Sequence, residues 1–237
     1  MNVRRLIGSV LATTLAATSL GVVATATAPA QAAETVQTRI VPSNADRGVI
    51  SSYSKPIEYG DDLSVNVNVE GFINGVWTQI YAGSVTVTQQ LAGSATPTTV
   101  ASNASAYVYD SFPARGKATY TVTYSGGTGG YPQVNYAPTS ASYAVADVQR
   151  KLSTSTISGK RAGFKGKVSP AKKVKITVFK KKGKKYKKFK SLRSNKKGRF
   201  TVVLPAPRKG KFHWKIVFKG DSKFAASAIK GTTYKGF

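Results

Sequence analysis

Apolar and polar residues alternate with period two along much of this chain. Leu63, Val65, Val67 and Val69 are separated by Ser64, Asn66 and Asn68, so residues 63–69 predict a strand with one buried face. Residues 76–81 and 84–89 predict two more strands on either side of Ala82-Gly83. Further along, 164–168, 174–179, 186–192 and 200–204 follow the same rule. Asn195-Lys196-Lys197-Gly198 reads as a turn in which glycine takes a positive φ, and Pro205 and Pro207 stop the strand before them. Beyond residue 32 no stretch holds a convincing 3.6-residue period. Seven or so short strands per domain, with turns at roughly 8–12-residue intervals, predict an all-β fold and suit a sandwich better than a barrel.

One segment occurs twice. Residues 116–126 align without a gap on 210–220, an offset of 94 residues, which is the length of one immunoglobulin-sized sandwich. Tyr120, Val122 and Tyr124 in the first copy, and Phe212, Trp214, Ile216 and Phe218 in the second, fall at alternate positions and predict inward-facing stripes. After a Gly-rich insertion in the first copy, Tyr136-Ala137-Pro138-Thr139 matches Phe224-Ala225-Ala226-Ser227. Two tandem, related domains are expected, at 33–147 and 148–237. Residues 145–153 form a short linker that carries the last strand of the first almost directly into the second.

Residues 1–32 read as a secretory signal peptide: Arg4 and Arg5 at the start, an apolar stretch over 6–23, and Ala30-Gln31-Ala32 before a cleavage point at Ala33. Thr13, Thr14, Thr18 and Ser19 interrupt the apolar stretch, which argues against a retained anchor of about 20 apolar residues. The expected location is extracellular, with cell-wall association through non-covalent contacts.

Several of these segments carry a family resemblance. They are Tyr59-Gly60-Asp61-Asp62 ahead of an alternating strand, Gly83-Ser84-Val85-Thr86-Val87, and the 116–126 segment with its following Tyr-Ala-Pro-Thr run. Gly166-Lys167-Val168-Ser169-Pro170, the 195–200 turn and 220–227 belong with them. Together they resemble bacterial immunoglobulin-like repeat domains, especially the Lys-rich versions in secreted actinobacterial proteins. The resemblance covers about residues 48–237. It implies an Ig-like sandwich serving as a spacer, adhesive or binding module on an exported protein, and it brings no catalytic residues.

Charge separates the two copies. Residues 150–237 hold 29 of the 36 Lys and Arg and one acid, Asp221, a net +28; residues 33–147 hold 5 bases and 8 acids, a net −3. The shared strand pattern tolerates both, so the fold does not require the basicity. A one-signed field of this size attracts polyanions over roughly 8 Å at physiological salt.

Catalytic and metal chemistry finds little to use. The chain has no Cys, so a thiol nucleophile, a thiolate zinc site, a disulfide and a lipobox are all excluded. The one histidine, His213, lies between Phe212 and Trp214 on the face opposite the inward stripe, and Asp221 is the only carboxylate near it in sequence. A triad needs three converging groups, so a surface histidine is the reading. Asp61 and Asp62, with Glu58, offer hard oxygens, but neighbours on a strand point to opposite faces and a turn role is expected. Gly126-Gly127-Thr128-Gly129-Gly130 lacks the Lys-Ser/Thr ending of a phosphate loop and precedes Tyr131-Pro132; it reads as a surface loop presenting Tyr131 and Tyr136. No catalytic residue, metal, cofactor or small-molecule substrate is expected.

The densest basic run is 180–190, with 8 Lys in 11 residues. Gly183 is its natural turn, so 174–179 and 186–192 become the arms of a hairpin tipped by ammonium groups. Candidate polyanion-binding residues are Lys180, Lys181, Lys182, Lys184, Lys185, Lys187, Lys188 and Lys190. Lys196, Lys197 and Arg199 of one turn and Arg208, Lys209 and Lys211 of another join them. Two readings compete: a solubilising, aggregation-blocking surface, or a site whose counter-charges sit on a partner. Self-repulsion among so many positives favours the second. Lys outnumbers Arg, which suits loose attraction rather than bidentate reading. The odd spacing of Tyr186 and Phe189 leaves one ring outward unless a bulge intervenes. For an exported protein the favoured partner is an anionic cell-wall polymer or acidic polysaccharide. Extracellular nucleic acid is the alternative, and an accessory module of a carbohydrate-active enzyme a third reading. Nothing in the sequence sets an oligomeric state.

Overall fold

The computed structural model describes residues 34–130, 133–157, 160–205 and 209–236. The signal-peptide reading therefore lies outside the described residues, as do Tyr131, Pro207 and Arg208.

Among the described residues every element is a strand. Twelve strands precede residue 146: β1 Thr35–Val36, β2 Thr38–Pro42, β3 Ile50–Ser51, β4 Asp62–Ile73, β5 Val76–Gln79, β6 Val85–Leu91, β7 Thr98–Asn103, β8 Tyr107–Pro113, β9 Ala118–Tyr124, β10 Gly127–Gly129, β11 Val134–Tyr136 and β12 Thr139–Val145. Seven follow: β13 Lys151–Ile157, β14 Gly163–Ser169, β15 Lys175–Lys182, β16 Lys185–Arg193, β17 Arg199–Val203, β18 Gly210–Phe218 and β19 Ser227–Lys235. The second half thus has seven described strands, while the first is cut into more and shorter pieces.

β4 is the spine of the first half. Leu63, Val65, Val67 and Val69 are fully buried and the residues between them face out. One edge of β4 pairs with β2 and β3, the other with β5 and β8. Asn74-Gly75 turns β4 into β5 with positive φ at both residues (52° and 81°), the pattern of a type I′ hairpin. The second sheet runs β12-β9-β6-β7, and Phe112 of β8 stacks on Tyr120 of β9 at 5.4 Å to join the layers.

In the second half β13-β14-β17 faces β16-β15-β18-β19. Phe164 of β14 stacks on Trp214 of β18 at 4.1 Å across the core. The indole lies over Gly231 of β19, where a Cβ would sit 2.1 Å from its Cζ2.

The repeated segment occupies equivalent positions. β9 lies between β12 and β6, and β18 between β19 and β15. The aligned glycines adopt matching backbones, Gly116 and Gly210 with φ of 144° and 130°, Gly126 and Gly220 with 77° and 87°. Tyr136 and its counterpart Phe224 are both buried.

Three expectations need correction. The linker's last three residues are already strand β13, and the crossing is pinned by Gln149, which bridges Glu58 on one side and Ala225 on the other. The 126–130 segment is not an open loop, because Gly127–Gly129 pairs with Val134–Tyr136 and packs its backbone on Ala82 and Gly83. Tyr136 is buried, so it presents no ring. Glycine contributes no side chain to a hydrophobic pattern, so this strand had no periodic signal.

Arg150, 1% exposed, closes the crossing. Its guanidinium lies 4.2 Å from the Phe224 ring centre and 5.2 Å from that of Phe218. Lys117 N donates to Lys223 O at 2.8 Å, and residues 33–237 form one compact unit.

Candidate functional site

The Lys-rich hairpin forms as its sequence predicts, from β15 and β16. Gly183 has φ 58° and Lys184 has no positive φ, which fits a type II′ turn. Lys181, Lys182, Lys184, Lys185, Lys187, Lys188 and Lys190 are all exposed. Lys180 is different: its Nζ donates to Pro205 O at 2.6 Å and lies 5.1 Å from the Phe212 ring centre, so it ties the hairpin down.

A bulge does intervene. Val178 pairs with Lys190 and Phe179 with Lys188, so Phe189 is the extra residue, and it packs against the core with Leu192. Phe189 is therefore no stacking platform.

The basic turns divide between the two ends of this sheet. β18 runs antiparallel to β15, so Lys209, just ahead of it, and Lys211, near its start, lie beside the hairpin tip. Lys196 and Lys197 sit at the opposite end of β16, about 30 Å away at 3.3 Å per residue. Asn195 Oδ1 organises that turn, accepting from Lys197 N at 3.0 Å and Arg199 N at 2.9 Å. Arg199 faces out from the other sheet with Lys165 and Lys167, beside Ser153 and Ser155.

A groove of about 620 Å³ runs over the outer face of β16-β15-β18. Outward side chains of three adjacent strands make its floor: Thr177 and Phe179, Ser191, and Val217. Lys172, Lys173, Lys175, Lys188, Arg193 and Lys219 wall it. Of these cations sequence reading had singled out only Lys188. The alternation Lys175, Thr177, Phe179 on β15 was a visible signal, but the approach of Lys172 and Lys219 to that strand is tertiary.

Like charges face each other directly. Lys175 opposes Arg193, Lys180 opposes Lys187, Lys182 opposes Lys185, Lys215 opposes Lys230, and Lys167 opposes Arg199. Each such cross-strand pair is unfavourable, by a few tenths of a kcal/mol up to about 1. The half's only side-chain carboxylate, Asp221, lies at the edge of this same groove, but its oxygens are engaged within the protein. Asp221 Oδ2 accepts from Arg150 Nη2 at 3.2 Å, and Oδ1 accepts from the amides of Lys223 and Phe224 at 2.9 and 2.8 Å. Burial pushes its carboxyl up, but these bonds together outweigh that and hold it below its ordinary value.

His213 is half-buried and its Nδ1 meets Thr232 Oγ1 at 2.9 Å. Asp61 caps its own turn, Oδ2 accepting from Glu58 N at 2.9 Å, and its Oδ1 lies 3.9 Å from Lys151 Nζ. Among the described residues no three Asp, Glu or His side chains converge.

No protein-family model matches the chain. No curated protein matches it. Among solved structures it is similar to a glycoside hydrolase domain, Endo-D from Streptococcus pneumoniae R6, at 12% identity and a TM-score of 0.24. The match covers 85% of this chain and spans 36% of that one, and at this TM-score it carries no argument about fold or activity.

Proposed function

We propose that this is an exported, non-catalytic protein of two tandem Ig-like sandwiches behind a cleavable leader, whose second sandwich binds anionic cell-envelope polymer. The observation that carries the proposal is the direct cross-strand opposition of like charges, with the one local carboxylate already committed to Arg150. A surface built for solubility alone mixes signs and avoids opposed lysines. Opposed lysines make sense where phosphate or carboxylate groups of a partner lie between them. The groove walled by Lys172, Lys173, Lys175, Lys188, Arg193 and Lys219 is the concave part of this surface, and the exposed hairpin lysines extend it. The first sandwich spaces the second from its surroundings or carries a contact of its own.

Cell fractionation tests the proposal. Protein expressed with its leader should stay with the wall fraction at about 0.15 M NaCl and be released at about 1 M, where the screening length falls to roughly 3 Å. Retention through the high-salt wash contradicts it.

A further inference from the structure

The outer face of the first half's β4 sheet carries a row of aromatic rings with hydrogen-bonding side chains between them. At one end Phe72 of β4 lies against Trp77 of β5, ring centres 5.1 Å apart. Arg39 of β2 covers the indole at 4.3 Å and is held there by Glu70, to which its Nε donates at 2.7 Å. At the other end Tyr107 and Tyr109 of β8 lie 5.4 Å apart, and Tyr81 meets Tyr107 edge-on at 6.5 Å. Asn68 and Gln79 fill the middle: Tyr109 Oη donates to Asn68 Oδ1, and Asn68 Nδ2 donates to Gln79 Oε1.

The cross-strand register puts these groups on one face. Phe72 opposes Trp77, Glu70 opposes Arg39 and Gln79, Asn68 opposes Tyr107, and Asn66 opposes Tyr109. The row from Trp77 to Tyr109 spans six residue steps of β4, about 20 Å at 3.3 Å per residue. Phe72 is 43% exposed, Tyr109 53% and Tyr81 65%, although burying rings of this size is strongly favoured in water.

We infer that this face is a binding platform for an uncharged polysaccharide chain. The two faces of a sugar ring present C–H groups, which suit the negative face of an aromatic ring. The rim of a sugar ring presents hydroxyls, which both donate and accept, and the Asn, Gln, Glu and Arg side chains between the rings supply both roles. A protein partner would be met by an apolar centre with a polar rim. Here the order is reversed, with rings at both ends of the row and hydrogen-bonding side chains between them, which suits an elongated chain lying along the row. Between Trp77 and Tyr109 the charged side chains of the row are Arg39 and Glu70, and they neutralise each other, so the row itself selects no charged ligand. This inference stands independently of the polyanion proposal for the second half.

Trp77 is a built-in reporter. The chain has two tryptophans, and the other, Trp214, is 2% exposed in the second core. The full chain is titrated with dextran, arabinoxylan, mannan and hydroxyethylcellulose while tryptophan emission is read. At least one polymer should shift the emission saturably, with an affinity that changes less than about twofold between 0.1 and 1 M NaCl. That salt insensitivity separates this site from the electrostatic one. Tyr81→Ala and Tyr109→Ala, both at exposed positions, should each weaken binding at least about fivefold with unchanged thermal unfolding. Three results overturn the inference: no polymer shifts the emission, both variants bind like the parent, or the emission follows protein concentration alone and marks the face as a self-association surface.

Discussion

Arg150 Nη2 donates to Asp221 Oδ2 across 3.2 Å, and this pair fastens the crossing between the two halves of the chain. Arg150 Nη1 also donates to Pro170 O at 3.3 Å, while two phenylalanine rings flank the guanidinium. Lys117 Nζ donates to Asp221 O at 3.2 Å from the other half. The one acid among 29 bases is thus spent on architecture.

Asp221→Asn should destabilise by about 2–3 kcal/mol in chemical denaturation, because it leaves a buried guanidinium without its counter-charge. Arg150→Met should cost less, since the Asp221 side chain is 38% exposed and returns to water.

The same carboxylate predicts an acid limb. Its folded pKa lies below the unfolded value of 3.8, so its stabilisation is full above that value and fades as pH falls through the folded pKa. Unfolding midpoints measured from pH 6 to pH 2 should fall for the parent. Asp221→Asn, already less stable, should fall less steeply below about pH 4, leaving only the slope contributed by the other carboxylates.

An alkaline limb has a different owner. Burial, with Tyr136 adding to it, pushes Tyr124 up to about 12 from 10.0, and its hydroxyl donates to Ala82 O at 2.7 Å. Here the stabilisation is full below pH 10 and is lost as pH rises from 10 through about 12, where the unfolded phenol ionises first. Burial also raises Tyr120 and Tyr143, so phenolate absorbance during titration should show several late-ionising tyrosines, and Tyr124→Phe should remove the contribution near pH 12 while leaving the others.

Two glycines should respond differently to the same change. Gly231→Ala drives a Cβ into the Trp214 indole at 2.1 Å and should cost about 2–3 kcal/mol, read as a lower melting temperature. Gly183→Ala meets nothing within 4 Å and suffers only from its φ of 58°, so about 1 kcal/mol is expected.

How much of this was readable from sequence depended on whether side chains advertise their faces. Leu63, Val65, Val67 and Val69 did, because one face of β4 is buried and the other wet, and the 94-residue repeat placed β9 and β18 correctly. Gly127 and Gly129 form a strand without any apolar side chain to mark it. The bulge at Phe189 was foreseeable only as a condition, since a single extra residue shifts the period without changing composition. The candidate surface was half legible: a hairpin is local, so its exposed lysines could be named. The groove needed Lys172, Lys188 and Lys219, which are distant in sequence and meet across three strands. Lys180 looked like its neighbours until Pro205 and Phe212 were seen around it.

Binding to a purified anionic wall polymer, measured against salt, tests the central claim most directly. Affinities of the full chain and of a variant with Lys172, Lys173, Lys175, Lys188 and Lys219 changed to Gln would be followed from 0.05 to 0.5 M NaCl. The parent's log affinity should fall linearly with log salt, and the variant should bind at least about tenfold more weakly with a shallower slope. Equal affinity and equal slope for the two proteins, or binding by the parent that ignores salt, would contradict the account.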